Sequence, residues 1–590
     1  MYEVISKLEL RGKRIGFEVK DTHGNKHKYS DAKIKQMMQQ GEIFDITYNS
    51  RGFQFKDKGR TISSLPSIEH KKVSLDKNRK TKIVVDEYTD NALHRHILNS
   101  GVLQYNSRDF VQAIIDYCKN KENSRVLSIS GLRGTGKTTG ILQAINKLSD
   151  LNNTVLITID EAANMDCLDL RNLILSKYKN KKYIFIDEIT RIKDLVNNSA
   201  FLADNLCMSG KKVILSGTDS LALVKAENAA LYHRMININV THISYEEAKK
   251  TANYSLHEYI EMGGLYRADR IKDIDGLRNY IDTAVVSNIM NTLTKNKGIT
   301  SLLNIDGISI RKLRTIVFRI IYAVVYMNTQ KIRPTNAKFI IDLFDYSTSA
   351  LYNAQNLNTL VCSQIGIDEV IKTNLQEVTS VLNAMQELGL IIKVENLYNK
   401  LECNYYITNP SIVNQLLKSI VNILETTNLP KKTNATINAK KGLLFESIVV
   451  THTKRVADKF GNKVYYYHDN TNAEIDLIVE KVTGTSFDDL YLYYEIKMTN
   501  DSDTAVVKSQ WLNSPIINSN INGKVIGRGI IYGGKSKVFK GFENSQTYPP
   551  KNMTLQQIET QNLNIELISA EDYLINTKNK LSILETYYEE

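Results

Sequence analysis

A chain of 590 residues with 42% hydrophobic and 24% charged side chains is long enough for about three or four separately cored domains. No run approaches the roughly eighteen uncharged apolar residues of a membrane span. The N-terminal MYEVISKLELRGKR is charged throughout and has no signal-peptide core. A cytoplasmic protein with no membrane partner is therefore the expectation. Five cysteines (Cys118, Cys167, Cys207, Cys362, Cys403) are odd in number and lack metal-ligand spacing, which points to reduced core thiols. The net charge is +12, and residues 1–80 hold 18 Lys and Arg against 10 Asp and Glu. A basic patch of this kind suits a nucleic-acid partner, and a solvated surface explains it equally well.

Residues 1–60 alternate as strands do, with a turn at Asp21–Asn25 and a helical pattern from Asp31 to Gln40. They predict a small basic β-rich module in which His23 and His27 are surface residues. Residues 61–82 are polar, basic and aperiodic, as a linker is. Residues 83–240 alternate apolar strands with amphipathic helices, the pattern of a parallel sheet covered on both faces. The strand Val126–Ile129 empties into Gly131-Leu132-Arg133-Gly134-Thr135-Gly136-Lys137-Thr138, and a helical sequence follows at once. That is a P-loop in its expected context. Gly131, Gly134 and Gly136 let the backbone turn its amides inward, and Thr135, Thr139 and the helix N-terminus complete the phosphate cradle. Lys137 is expected at the β- and γ-phosphates of ATP, and the Thr138 hydroxyl on Mg²⁺.

Tyr183-Ile184-Phe185-Ile186-Asp187-Glu188 places two acids at the carboxyl tip of a buried strand, where ligands bind in open α/β sheets. Asp187 is expected to serve the Mg²⁺ shell and Glu188 to act as general base on the attacking water. Ser216-Gly217-Thr218 ends the next strand, so a hydroxyl there, Ser216 foremost, is a candidate γ-phosphate sensor. Arg234 opens the following strand and is a candidate for neutralising transition-state charge, in cis or across a subunit boundary of a homo-oligomer. A surface arginine fits the same position.

These segments, with RMININVTHISYEE and Glu258–Gly264, resemble the AAA-type ATPases of bacteria and archaea. The resemblance runs from about residue 90 to the end. It implies a P-loop domain followed by a helical region, a winged helix and a C-terminal domain of the PD-(D/E)XK nuclease superfamily. Thr241-His242-Ile243 stands where that family usually has a Pro-Leu pair, a structural position.

Residues 241–345 read as a helical lid, with helices over 246–262, 277–294 and 310–326. Residues 346–427 read as a winged helix: Leu360–Ile365, then a helix over Leu375–Leu388 with Val378, Val381, Leu382, Met385 and Leu388 at helical spacing, then a wing from Leu390–Val394 and Tyr405–Thr408. The face Thr379, Ser380, Asn383, Gln386 carries no arginine and has Glu377 and Glu387 nearby. Domain packing is therefore weighted above base reading for this helix. Residues 428–441 are polar and Pro-containing, a linker.

Residues 442–590 hold a second constellation. Glu446 lies in a helical run. Ala473–Val479, carrying Glu474 and Asp476, and Tyr493–Lys497, carrying Glu495 and Lys497, alternate as paired strands. Glu495 and Lys497 share a face because the side-chain period is two, and Asp476 can join them. Two carboxylates and a lysine at one edge suit Mg²⁺, or Mn²⁺, and a water aimed at a phosphodiester. A helix over Thr504–Leu512 and a strand over Val525–Tyr532 complete the order of a restriction-endonuclease-like core. Glu446 is the first-helix acid that the resemblance implies, and Glu474 is a substitute for it.

The chain is thus expected to be a multidomain α/β protein whose ATPase controls a metal-dependent nuclease acting on nucleic acid, DNA by preference. Mobile-element maintenance or defence would be natural settings. The alternative is an ATP-switched scaffold whose nuclease-like domain grips without cutting.

Overall fold

The computed structural model describes residues 3–10, 13–20, 26–39, 46–49, 52–55, 85–160, 165–218, 220–265, 271–295, 308–344, 363, 371–426, 433–483, 489–509, 512, 517, 523–538 and 565–587. It divides into two compact units, Met1–Lys71 and Lys72–Glu590. The predicted linker 61–82 and the winged-helix segment Leu360–Ile365, residue 363 excepted, fall outside the described residues.

In the first unit, β1 (Glu3–Leu10), β2 (Lys13–Lys20) and β3 (Lys26–Ser30) form an antiparallel meander. The helix Asp31–Gln39 starts at the next residue, where the Ser30 hydroxyl accepts from the Lys33 amide at 3.3 Å. Val19, Ile34 and Met37 are buried. A hairpin of β4 (Ile46–Asn49) and β5 (Gly52–Phe55) follows.

The second unit holds two sheets. The first comprises β6 (Val85–Thr89), β7 (Val126–Ser130), β8 (Thr154–Ile159), β9 (Tyr183–Asp187), β10 (Lys212–Ser216) and β11 (Met235–Asn239), in the order β11-β7-β10-β9-β8-β6. Strands β7, β9 and β10 are buried at every position, as interior strands between helical layers must be. The sheet is parallel except for β6, which runs antiparallel to β8 along one edge. Its sequence VDEYT is half exposed, so a search for apolar runs passes over it. Leu215 pairs with Ile186 and Ser216 with Ile129, which brings the carboxyl tips of β7, β9 and β10 level.

The lid departs from the sequence reading. Residues 245–262 form two helices, Tyr245–Ala252 and Leu256–Met262, because Asn253 turns left-handed (φ 54°) and the capping box Ser255–Glu258 starts a new helix. Residues 274–295 carry a π-helical stretch, Ile281–Val286, between two α-helical pieces. One apolar core runs from Leu132 in the P-loop through the helix Ile310–Gln330 and the helix Leu375–Glu387 to Leu443 and Leu444.

The second sheet comprises β12 (Ile391–Asn396), β13 (Cys403–Ile407), β14 (Lys463–His468), β15 (Glu474–Lys481), β16 (Leu490–Lys497), β17 (Lys524–Tyr532), β18 (Lys537–Val538) and β19 (Glu566–Ser569). Its order is β13-β12-β14-β15-β16-β17-β19-β18. The predicted wing is therefore the edge of the C-terminal sheet: β12 pairs with β14 in parallel, and Asn396 is bonded to both the carbonyl and the amide of His468. The segment expected to be a linker over 428–441 is helical from Thr433, in a 27-residue helix that continues to Lys459. The helix expected over Thr504–Leu512 spans Ser502–Val507. Cys118, Cys167, Cys207 and Cys403 are buried free thiols, and Cys362 lies outside the described residues. No described helix is long and apolar enough to cross a membrane.

Candidate functional site

Beyond Ser130 the chain turns at Gly131 (φ 145°), Gly134 (φ 87°) and Gly136 (φ 91°) into the helix Lys137–Leu148. Side chains are strained at such angles, and a Cβ on Gly131 would stand 2.1 Å from the carbonyl oxygen of Val240. The loop closes over Lys137, whose Nζ donates to the carbonyls of Gly131 (2.5 Å) and Leu132 (2.9 Å). Burial pulls its pKa down to about 8, against the opposite pull of Glu188 and Asp187. A buried ammonium on neutral carbonyls, at a helix N-terminus, fits an incoming phosphate. Thr135 is buried and its hydroxyl donates to Leu132 O at 2.9 Å, while Thr139 sits half-buried in the first helical turn.

The Thr138 hydroxyl donates to Asp187 Oδ2 at 2.8 Å. Ser216 also donates to Asp187, whose Oδ1 accepts the Glu188 amide at 3.0 Å. Ser216 therefore orients the acid in this structure. Glu188 sits in the left-handed region (φ 58°) and accepts from Thr218 Oγ1 at 2.8 Å, with Arg191 Nε 3.7 Å away. Arg234 lies at the other end of the sheet: its carbonyl accepts the amide of Val126, the first residue of β7, and its guanidinium pairs with Asp204 at 3.2 Å. The length of β7, about 16 Å at ~3.3 Å per residue, separates it from the P-loop of the same chain. The in-cis role expected of Arg234 is excluded by that distance.

Sequence reasoning missed Arg108. It is 6% exposed, and its Nη1 donates to Thr135 O in the P-loop (2.7 Å) and to Thr241 O (3.1 Å). Its Nε and Nη2 grip Glu247 at 3.1 and 2.5 Å. A basic residue opening a helix carries no signal that would reveal this. Beside the clamp, a cleft is lined by Tyr105, Asn106, Ile243, Thr251, Tyr254 and Leu265.

The stretch beyond Thr241 is a junction. His242 is buried, with Nδ1 2.9 Å from Thr408 Oγ1 and Nε2 2.7 Å from Tyr280 Oη. Thr408 gives its own proton to Gly389 O at 2.7 Å, so Nδ1–H donates to Thr408 and Nε2 accepts from Tyr280. Burial, reinforced by Arg455 and Arg108, lowers the His242 pKa to about 3, in keeping with that neutral tautomer. Arg455 Nη1 donates to His242 O at 2.9 Å, and Tyr245 Oη to Glu571 at 2.5 Å. The unusual Thr-His pair noted in the sequence is thus where lid, wing and C-terminal helices meet.

In the second sheet, Leu477 lies opposite Tyr494, which sets Asp476 beside Glu495 one step on. Asp476 Oδ2 accepts from the Ile496 amide at 2.7 Å and from Lys497 Nζ at 2.9 Å, and Lys497 also pairs with Glu495. The structure therefore brings Asp476, Glu495 and Lys497 together. Burial and the neighbouring Asp476 push the Glu495 pKa well up. Burial would raise Asp476 too, but Lys497 and the Ile496 amide outweigh it and the net is downward. For Lys497 burial is outweighed by the two carboxylates, and the net is upward.

Glu446 accepts from Tyr406 Oη at 2.9 Å. Burial first, then Asp476, raises its pKa to about 7. Glu474 is held by Lys331 (3.1 Å) and Arg333 (3.0 Å), which occupy the carboxylate proposed as a substitute. Carboxylate oxygens are the ligand type that Mg²⁺ and Mn²⁺ take. Among the described residues no three His, Cys, Asp or Glu side chains converge closely enough to hold a metal ion, so the fit rests on Asp476 and Glu495.

The family model described as AAA domain matches residues 123–249, so the chain carries an AAA-family P-loop ATPase domain. No curated protein matches the chain. Among solved structures it is similar to the S. cerevisiae Hsp104–casein complex in its extended conformation, at 14% identity over 52% of this chain and 45% of that one, TM-score 0.21. It is also similar to the Aeropyrum pernix ORC1 protein in complex with DNA (12% identity, 52% and 94% coverage, TM-score 0.21). A third is Cdc6p from Pyrobaculum aerophilum (14%, 58% and 97%, TM-score 0.19). The match spans less than half of the Hsp104 chain, and at these scores the likenesses carry no functional weight.

Proposed function

We propose that the chain binds and hydrolyses ATP with Mg²⁺ and uses it to control a C-terminal metal-dependent nuclease site acting on nucleic acid, DNA by preference. In the first site the amides of the glycine loop and Lys137 bind the phosphates. Thr138 and Asp187 hold the metal shell, Asp187 being fixed by Ser216. Glu188, set by Thr218, takes the proton of the attacking water. We place the base in the cleft beside Arg108. Arg234, at the end of the sheet opposite the P-loop, serves the site of a neighbouring subunit.

In the second site Asp476 and Glu495 hold the divalent ion, which when bound supplies charge neutralisation and a water of lowered pKa. Lys497, already against both carboxylates, orients that water or the scissile phosphate. Glu446, bonded to Tyr406, lies beside this pair without reaching a shared ion. The observation that carries this reading is the meeting of Asp476, Glu495 and Lys497 on neighbouring strands. Plasmid incubated with Mg²⁺ or Mn²⁺ tests it: nicking by the wild type and none by Lys497→Ala is expected, and equal nicking by both removes the nuclease assignment.

One observation favours the second reading, an ATP-switched scaffold with a silent nuclease-like domain. Lys497 satisfies both carboxylates, and no third acid stands close enough to share an ion with them among the described residues.

A further inference from the structure

We propose that Arg108 is a positioning residue of the nucleotide site: it orients one peptide of the P-loop so that the Gly136 amide faces the phosphates, and Glu247 of the lid keeps it there. This rests on the nucleotide reading of the first site. Arg108 stands just before the helix Asp109–Lys119, far from the glycine loop in sequence, yet it is 6% exposed and its Nη1 donates to Thr135 O at 2.7 Å. In a trans peptide the carbonyl and the following N–H point in opposite directions, so fixing Thr135 O on one side aims the Gly136 N–H to the other. Gly136 leads directly into the helix Lys137–Leu148, where the first amides lack intrahelical acceptors and are the ones a phosphate meets. It turns left-handed (φ 91°) and has no side chain of its own to fix that peptide, so the hold comes from outside the loop.

The guanidinium is held on its other sides. Nη1 also donates to Thr241 O at 3.1 Å, one residue past Val240, whose amide donates to Ser130 O at 2.7 Å where the loop begins. Nε and Nη2 grip the two oxygens of Glu247 at 3.1 and 2.5 Å, and the side chains of this pair are 5% and 12% exposed. Glu247 lies in the first turn of the lid helix Tyr245–Ala252. It also accepts the Asp109 amide at 3.3 Å, at the N-terminus of an 11-residue helix, where a carboxylate is favoured. One turn further along the lid helix Thr251 lines the cleft, and its carbonyl accepts from Asn106 Nδ2 at 3.0 Å. A single lid helix therefore walls the cleft in which the base is placed and grips the arginine that reaches the P-loop. Lysine could not replace that arginine: its ammonium is one point, whereas the planar fork serves two carbonyls and a carboxylate at once.

Competition of ADP and of AMP against fluorescent N-methylanthraniloyl-ADP, on the full chain with Mg²⁺, tests this. The ratio of ADP to AMP affinity reads the phosphate grip apart from the hold on the base, and a merely structural role for Arg108 would leave that ratio alone. Lys137→Met sets the baseline for a lost P-loop. Arg108→Lys keeps the charge and a partner for Glu247. The expected outcome is a ratio lowered roughly tenfold, the loss of about one hydrogen bond to a charged group, with AMP affinity unchanged. Arg108→Met combined with Glu247→Met removes both charges so that neither is left buried alone, and the same fall in the ratio is expected there. Urea denaturation identifies which variants remain folded. A wild-type ratio in either folded variant overturns the positioning role while leaving the nucleotide site intact, and so do ADP and AMP weakened by equal factors. Labelled ADP bound no more tightly by the wild type than by Lys137→Met overturns the nucleotide reading and the role of Arg108 together.

Discussion

The two sites each bury a lysine, and the surroundings of those lysines are opposite. Lys137 donates to two backbone carbonyls, and burial pulls its pKa down to about 8. Lys497 lies against two carboxylates, and its pKa is driven up in spite of burial. A cation held by neutral dipoles still gains by meeting an anion, which is what a phosphate cradle requires. A cation already neutralised by two acids holds those acids in place. The first site is built for a negatively charged ligand and the second for keeping carboxylates together.

The largest expected effect separates the two directly. Lys497→Met leaves Asp476 and Glu495 buried without their partner, and breaking such a pair costs about 3–5 kcal/mol. Lys137→Met removes a buried charge that is bonded to neutral carbonyls, with Glu188 and Asp187 acting on it without a direct bond, and should cost clearly less than Lys497→Met while abolishing nucleotide binding. Urea denaturation of the two variants side by side checks this, and equal losses would erase the contrast. Millimolar Mn²⁺ should narrow it, recovering part of the loss in Lys497→Met and none in Lys497→Met combined with Asp476→Asn.

Next in size is the response to acid. His242 and His452 are buried, with pKa values lowered to about 3 chiefly by burial. Unfolded imidazoles take their protons near pH 6.5. The stability each contributes is therefore whole above pH 6.5 and falls as the pH drops toward 3, by about 1.4 kcal/mol per pH unit for each. Glu446 and Glu495, whose pKa values are raised, move the profile the other way, so the sign is read from a variant: between pH 6.5 and pH 5.5 the wild type should lose more stability than His242→Gln, and parallel profiles would contradict the neutral His242 bridge.

The smallest effect belongs to the end of the ATPase sheet opposite the P-loop. Arg234 and Asp204 are about half exposed, and such pairs contribute little. Arg234→Ala should move the denaturation midpoint by less than ~0.5 kcal/mol. A loss of ATP turnover in that variant would then have to arise between subunits.

The P-loop was legible because its chemistry is local: three glycines, Lys137 and Thr138 lie within eight residues, between a strand and a helix. Asp476, Glu495 and Lys497 were legible because a period of two decides which side chains share a strand face. What stayed hidden depends on distant partners. Arg108 meets Glu247 across 139 positions, and Tyr406 meets Glu446 across 40. The wing could not be seen as a sheet edge, since the alternation of β12 and β13 is the same whether they stand alone or pair with β14. Nor could Arg234 be placed, because its distance from the P-loop follows from strand order and not from spacing.

The most direct measurement is ATP turnover and strand cleavage on the same preparation of Asp476→Ala, with Mg²⁺ or Mn²⁺ present. Turnover at the wild-type rate with cleavage lost is the expected result. Cleavage surviving at the wild-type rate would contradict it, leaving the AAA domain as the sole site of chemistry supported in this chain.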